Sequence, residues 1–386
     1  MDKVQEIQLE LLVEFSKVAN CNGLKWFGMF GTLLGAARCG GFIALDKDID
    51  VAMPREDYDR LGHQPELFSE PYFLQTTTND PSAAPRFMRL RHSGTAILPE
   101  NFPTVYTPGG HMGIFIDIIP LDIVPDIQVA YKLHAIAADI NKKMYASAAY
   151  DEIGLSGWAP PSKIKHCNSV GGFPGLYSIY ADWYEKTCSG FKEGRYYAMP
   201  VLSGAIGHRV FDREAFADTV EMSFEGVKIP APIGWREVLA VSYPEGTYEP
   251  DPRYSKKKEP PFQGCLVDTG KSFRAYQHKY TSMLSGIEGK KVYLFGAGDS
   301  LRIWLERYSD GLDVVCCFDN SEEKWDSEAY GIAVCNPQRL PELIDDEARL
   351  IIVSMYHMEI GNQLEDMGIT DYFVFIDGWK YERDNP

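Results

Sequence analysis

The sequence predicts an α/β protein of two domains, a mixed-sheet domain over residues 1–282 and a parallel-sheet domain over residues 286–386. Three observations lead there. At 386 residues the chain is too long for one ordinary core. Short apolar runs bounded by glycine and proline alternate with stretches of helical periodicity. Past Gly286 strands and helices take strict turns, the pattern of a parallel sheet with crossovers.

Each element follows from local pattern. Val4, Ile7, Leu11, Leu12, Phe15 and Val18 recur at helical spacing, and Gly23 is placed to end that helix. Residues 24–30 read as a buried strand running into a Gly31-Thr32 turn, with a short helix over 33–38. Gly40-Gly41 turns the chain, 49–53 form the next strand, and Pro54 ends it ahead of a helix over 56–61. Residues 72–75, 87–91 and 112–119 are further strands, the last carrying Asp117 among apolar neighbours. Helices are expected over 130–145, 176–192 and 235–243, a loop-rich segment over 160–174, and a helix followed by a strand over 210–224. A polar, proline-rich run containing Lys256, Lys257 and Lys258 closes the domain. In the second domain, strands at 290–295, 314–318, 350–354 and 373–376 alternate with helices at 300–308 and 358–367.

Composition narrows the function. A formal net charge of -17 argues against a protein that wraps nucleic acid, but leaves room for small phosphorylated substrates in a local cationic pocket. None of the eight cysteines forms a C-x-x-C pair, and the N-terminus lacks the pattern of a signal peptide, so reduced thiols and a cytoplasmic location are expected. The most apolar stretch, residues 113–124, is too short and too charged to span a bilayer, which leaves at most a peripheral association with membrane.

The chemistry concentrates in Asp46-Lys47-Asp48-Ile49-Asp50. A strand has a side-chain period of two, so its three acids would share one face while Ile49 and Val51 point to the other. Like charges on one face repel, and a divalent cation with oxygen ligands is the usual neutraliser. Paired carboxylates holding Mg²⁺ or Mn²⁺ serve phosphoryl and nucleotidyl transfer by neutralising phosphate charge and aligning the reactants. Asp117 is the best third acid, since a charge in an apolar strand needs a partner; an ion pair with an arginine near Arg89 is the structural alternative. Gly31 permits close approach of backbone to phosphate, the helix after it offers free N–H groups, and the Thr32 hydroxyl can donate.

The stretch FGTLLGAARCGGFIALDKDIDVAMPREDYDRL resembles the LicD family, which includes bacterial phosphocholine transferases and the fukutin-related proteins. The resemblance continues through Phe87–Arg91, Ile116–Asp122 and Phe224-Glu225-Gly226, and covers roughly residues 5–260. It implies a nucleotidyltransferase fold like that of DNA polymerase beta. It implies that Gly31 and Thr32 hold donor phosphate, that Asp48 and Asp50 are the metal-binding pair, and that Asp117 is the third carboxylate. Asp46 would lie outside the metal pair as a supporting residue, and Lys47 departs from the acid that family members often carry there. Arg38 contacts phosphate or packs as structure. Arg89 and Arg91 bind the donor's phosphates or base, or neutralise the acidic face. Family members that transfer phosphocholine must bind a quaternary ammonium, and Trp26, Phe27, Phe30, Tyr106, Trp158, Tyr177 and Tyr180 supply aromatic faces in number.

The expected function is therefore Mg²⁺- or Mn²⁺-dependent transfer of a phospho-alcohol group from a CDP-linked donor such as CDP-choline to a glycan or lipid-linked glycan hydroxyl. Nucleotidyl transfer to a small acceptor is the enzymatic alternative. A non-catalytic glycan- or nucleotide-binding protein is the third, and the retained acids argue against it. In the second domain Gly296-Ala297-Gly298 after a strand, with Asp319 past the next, resembles Rossmann-like domains attached to sugar- and envelope-modifying enzymes, and the third glycine of the dinucleotide fingerprint is missing at Leu301. A structural or docking role is favoured there over nucleotide binding, and His357 follows a strand end.

Overall fold

In the computed structural model, which describes residues 1–43, 48–80, 87–99, 110–126, 130–140, 176–199, 209–244, 247 and 265–375, the chain divides into two units, Met1–Phe273 and Arg274–Pro386. The structure is α/β in both. Asp46, Lys47, Tyr106, Trp158, the 160–174 segment and the lysine run at 256–258 lie outside the described residues.

In the first unit the opening helix α1 (Lys3–Cys21) is set by a reciprocal cap: Asp2 accepts the Gln5 N–H and the Gln5 side chain accepts the Asp2 N–H. Its apolar stripe of Leu11, Leu12 and Phe15 is fully buried. Strands β1 (Phe27–Gly28), β2 (Asp50–Pro54), β3 (Tyr72–Gln75), β4 (Met88–His92) and β6 (Phe115–Val124) form a sheet in the order β1-β2-β6-β4-β3; β5 (Ala96–Pro99) precedes β6 in the chain and pairs elsewhere. β7 (Tyr196–Ala198) adds to β6 and β8 (Val210–Asp212) to β7. Alternation sorts the sheet's two faces. Val51, Met53, Ile116 and Ile118 pack with α1, while Ala52, Ile119 and Leu121 pack with helix α2 (Phe30–Arg38) and the helix Leu176–Cys188. The hairpin β9 (Thr219–Phe224) and β10 (Val227–Pro232) turns at Glu225 and Gly226, both with positive φ, and β11 (Cys265–Asp268) pairs with β5.

Several boundaries differ from expectation. Helix α2 begins at Phe30, three residues earlier than the glycine turn suggests, and β1 is only two residues long. The chain leaves the strand at Met29, whose N–H bonds the Asp50 carbonyl, and turns at Phe30 with φ of 46°. Gly31 and Thr32 therefore belong to the first turn of the helix, not to a loop before it. The segment 210–224 is strand, one 3-10 turn and strand, because Asp212 caps only the short turn Arg213–Phe216 and Thr219–Phe224 alternates. The helix Leu176–Cys188 stops four residues short of 192, and residues 130–140 are helical as far as they are described.

The second unit carries β12 (Lys291–Phe295), β13 (Asp313–Phe318), β14 (Glu328–Ala329), β15 (Ile332–Cys335), β16 (Ala348–Ile352) and β17 (Phe373–Val374) in the order β14-β15-β13-β12-β16-β17. All pairings are parallel except that of the edge strand β14. Helix Phe273–Thr281 leads into this unit, and Met283, Leu284 and Ile287 join its core with Trp304. Gly296 is required at the end of β12: its φ is 117°, and an added Cβ would lie 2.8 Å from the Val353 carbonyl oxygen. Asp319 is engaged inside the unit, accepting the N–H groups of Ala297 and Ser321 and the Lys324 ammonium at 2.8–3.0 Å. Burial pushes its carboxyl up, but these donors outweigh burial and hold it below the usual range. His357 opens the helix His357–Asp366, buried, with Nδ1 3.0 Å from the Tyr280 hydroxyl.

Candidate active site

Sheet register builds the acidic centre. β2 and β6 are parallel and pair Asp50 with Asp117; β4 and β6 are antiparallel and pair Arg89 with the same Asp117. Asp48, two residues before Asp50, completes the group: one ligand oxygen of each of Asp48, Asp50 and Asp117 lies within 4.8 Å of the others. Asp117 is buried and the other two are half-buried. Three carboxylates this close fit a hard divalent cation with oxygen ligands. They line a pocket of about 400 Å³ together with Phe30, Gly31, Ile119, Arg209 and Tyr243.

Helix α2 is locked to the acidic strand through backbone. The Thr32 hydroxyl accepts the Asp50 N–H at 2.9 Å, and Met29 N–H donates to the Asp50 carbonyl at 3.0 Å. Thr32 is fully buried, so its hydroxyl anchors Asp50, a role the sequence did not suggest, and Gly31 is the residue of the pair that faces the pocket. A second lock comes from far along the chain. Glu225 Oε1 accepts the Phe42 N–H at 2.9 Å, and Glu225 N–H donates to the Gly40 carbonyl at 2.7 Å. Gly35 and Gly41 make this closeness feasible: a Cβ on Gly35 would lie 2.2 Å from the Gly41 carbonyl oxygen, and one on Gly41 would lie 2.1 Å from Glu225 Oε1.

The expected arginines take different positions. Arg89 donates to Asp117 Oδ1 at 2.8 Å and stacks on Phe115, so Asp117 is at once part of the acidic group and half of an ion pair. Arg91 is buried, donating to Gln75 Oε1 and the Gly113 carbonyl; burial, with Arg89's charge adding, brings its pKa down to about 9. Its hydrogen bonds brace the sheet rather than reach the pocket. Arg38 is nine-tenths buried and donates to the Thr247 carbonyl. Trp26 and Phe27 are core residues.

Two features were not signalled by the sequence. Arg209 lines the pocket with its guanidinium 4.9 Å from the Phe30 ring centroid, and nothing in its sequence neighbourhood marks it. Arg55 forms a buried network, bidentate to the fully buried Asp122 at 2.6 and 2.9 Å and bonded to Glu185 at 2.9 Å. It ties α3 (Arg55–Gly62) to β6 and to the helix Leu176–Cys188. Burial works against its charge, but these carboxylates more than restore it.

Comparison with known families bears on this arrangement. Residues 23–98 match LicD/FKTN/FKRP, nucleotidyltransferase domain. This stretch is similar to LicD-type domains. The match contains Gly31, Thr32, Arg38, Asp48, Asp50, Arg89 and Arg91, and it stops short of Asp117 and of the more distant Arg209 and Glu225. The matched stretch is thus shorter than the span over which the sequence resembles the family. Residues 288–375 match a second family, C2185-like, N-terminal. No curated protein matches the chain. Among the described residues no helix is long and apolar enough to cross a membrane.

Proposed function

We propose that the first unit is a metal-dependent transferase that moves a phospho-alcohol group of phosphocholine type from a CDP-linked donor to a glycan hydroxyl. The observation that carries this reading is the meeting of Asp48, Asp50 and Asp117 within 4.8 Å at a pocket also lined by Gly31. Asp48 and Asp50 would hold Mg²⁺ or Mn²⁺, with Asp117 beside them. The cation, when bound, supplies neutralisation of the donor's phosphate charge. Arg89 keeps Asp117 oriented, Thr32 keeps Asp50 in register, and the backbone at Gly31 lets a phosphate come close. In the transfer the glycan oxygen forms a bond to the phosphorus of the phospho-alcohol. The bond from that phosphorus to the bridging oxygen breaks, and CMP leaves. In this reading the hydroxyl proton goes to Asp117, the acid of the group that comes from the neighbouring strand.

Nucleotidyl transfer is the second reading, favoured by the nucleotidyltransferase description of the matched domain. The two differ in what is released. Incubation with Mg²⁺, CDP-choline and candidate glycans should release CMP; pyrophosphate release from ATP would favour the second reading instead. Asp48→Ala and Asp50→Ala should each abolish turnover while the thermal transition stays in place. Full turnover in either variant would overturn the assignment of the acids. In the second unit we propose a Rossmann-like support or docking domain.

A further inference from the structure

We infer that Arg209 is the donor-phosphate clamp of this site, an inference that rests on the transferase reading above. The three arginines that the sequence offered for substrate are committed elsewhere. Arg89 is paired with Asp117, Arg91 is buried against Gln75 and the Gly113 carbonyl, and Arg38 donates to the Thr247 carbonyl. Arg209 lines the same pocket as Asp48, Asp50 and Asp117, is exposed, and forms no salt bridge among the described residues. It rests on the Phe30 ring, its guanidinium 4.9 Å from the centroid.

The platform beneath it is held at a backbone cost. Phe30 has φ of 46°, a conformation that a bulky residue rarely adopts. Yet Phe30 starts α2, next to Gly31, and its ring supports the guanidinium at the pocket wall. A planar fork that carries charge at all accessible pH and is weakly hydrated suits bidentate contact with phosphate oxygens. Arg209 then meets a phosphorylated donor from a part of the pocket wall separate from the acids that would hold the cation. Of the two roles open to Arg89, donor binding or neutralisation of the acidic face, its bond to Asp117 serves the second, and the fold leaves Arg209 available for phosphate.

The probe is inorganic pyrophosphate with saturating Mg²⁺, which carries the phosphate chemistry without a nucleobase, and Mn²⁺ alone is titrated in parallel. Arg209→Ala should bind pyrophosphate about tenfold more weakly or worse, the loss of a charge-assisted pair. Arg209→Lys should recover only part of this, since an ammonium lacks the fork. Mn²⁺ affinity should be unchanged in both. Wild-type affinity for pyrophosphate in Arg209→Ala would overturn the inference, as would failure of the wild type to bind pyrophosphate at millimolar concentration. Unchanged Mn²⁺ affinity in Asp50→Asn would instead overturn the metal reading, so the two failures are told apart.

Discussion

Thr32 shows how one hydroxyl supports a charged site without facing it. Its Oγ1 accepts the N–H of Asp50 at 2.9 Å from a fully buried position. Replacing Thr32 with the near-isosteric valine keeps the volume and removes the acceptor. The Asp50 N–H is then left without it, at a cost of about 1–3 kcal/mol. Urea unfolding of Thr32→Val should show that loss, and turnover should fall with it because Asp50 shifts against Asp117; unchanged stability would mean that the N–H finds another partner. The acids themselves were readable from sequence: Asp48 and Asp50 do come together, although β2 begins only at Asp50 and Asp48 lies in the bend before it, so the alternation of a strand is not what brings them there. Arg209 was not, since what distinguishes it is the surface it reaches, and that surface is assembled from residues far apart in the chain.

Helix α2 and the loop after it make a contact that reverses an ordinary helix rule. Alanine in place of glycine inside a helix usually stabilises by about 0.5–1 kcal/mol. At Gly35 the added Cβ would lie 2.2 Å from the Gly41 carbonyl oxygen, a backbone atom that cannot swing away. Gly35→Ala should therefore lower the midpoint of thermal unfolding and weaken Mn²⁺ binding by displacing the loop toward Asp48; a rise in the midpoint would show that the loop gives way freely. Long periodic elements such as α1 and the second unit's central strands could be placed from sequence, because each buries a whole apolar stripe. Short strands such as β7, β8 and β11 could not, since three or four residues carry too little pattern, and their identity depends on the partner strand. The start of α2 was misplaced for a related reason. Glycine marks where a turn is easy, while the actual turn at Phe30 is imposed by the hydrogen bond from Met29 to Asp50.

The second unit carries a group that ties its stability to pH. Burial lowers the pKa of His357 to about 4 while its ring hydrogen-bonds Tyr280. Its unfolded value is about 6.5. A depressed folded value means that the unfolded chain binds the proton more readily, so the contribution is full above about pH 6.5 and is lost as pH falls toward 4. The loss reaches about 3 kcal/mol at the low end. Urea melts of the full chain at pH 7 and pH 4.5 should show this decline in the second unit's transition, and His357→Gln should flatten it; an equal decline in the variant would place the titration elsewhere. In the first unit, the tether from Glu225 to Phe42 joins positions 183 residues apart. That span has a consequence for synthesis. Domains fold as units while the chain emerges from the ribosome. A nascent chain that already contains Asp48, Asp50 and Asp117 still lacks the hairpin that fastens the loop leading to them. The acids are translated early, and the tether that fastens the neighbouring loop comes only after the ribosome has passed Glu225, so a chain stalled before that point should carry the charges of the centre without that support.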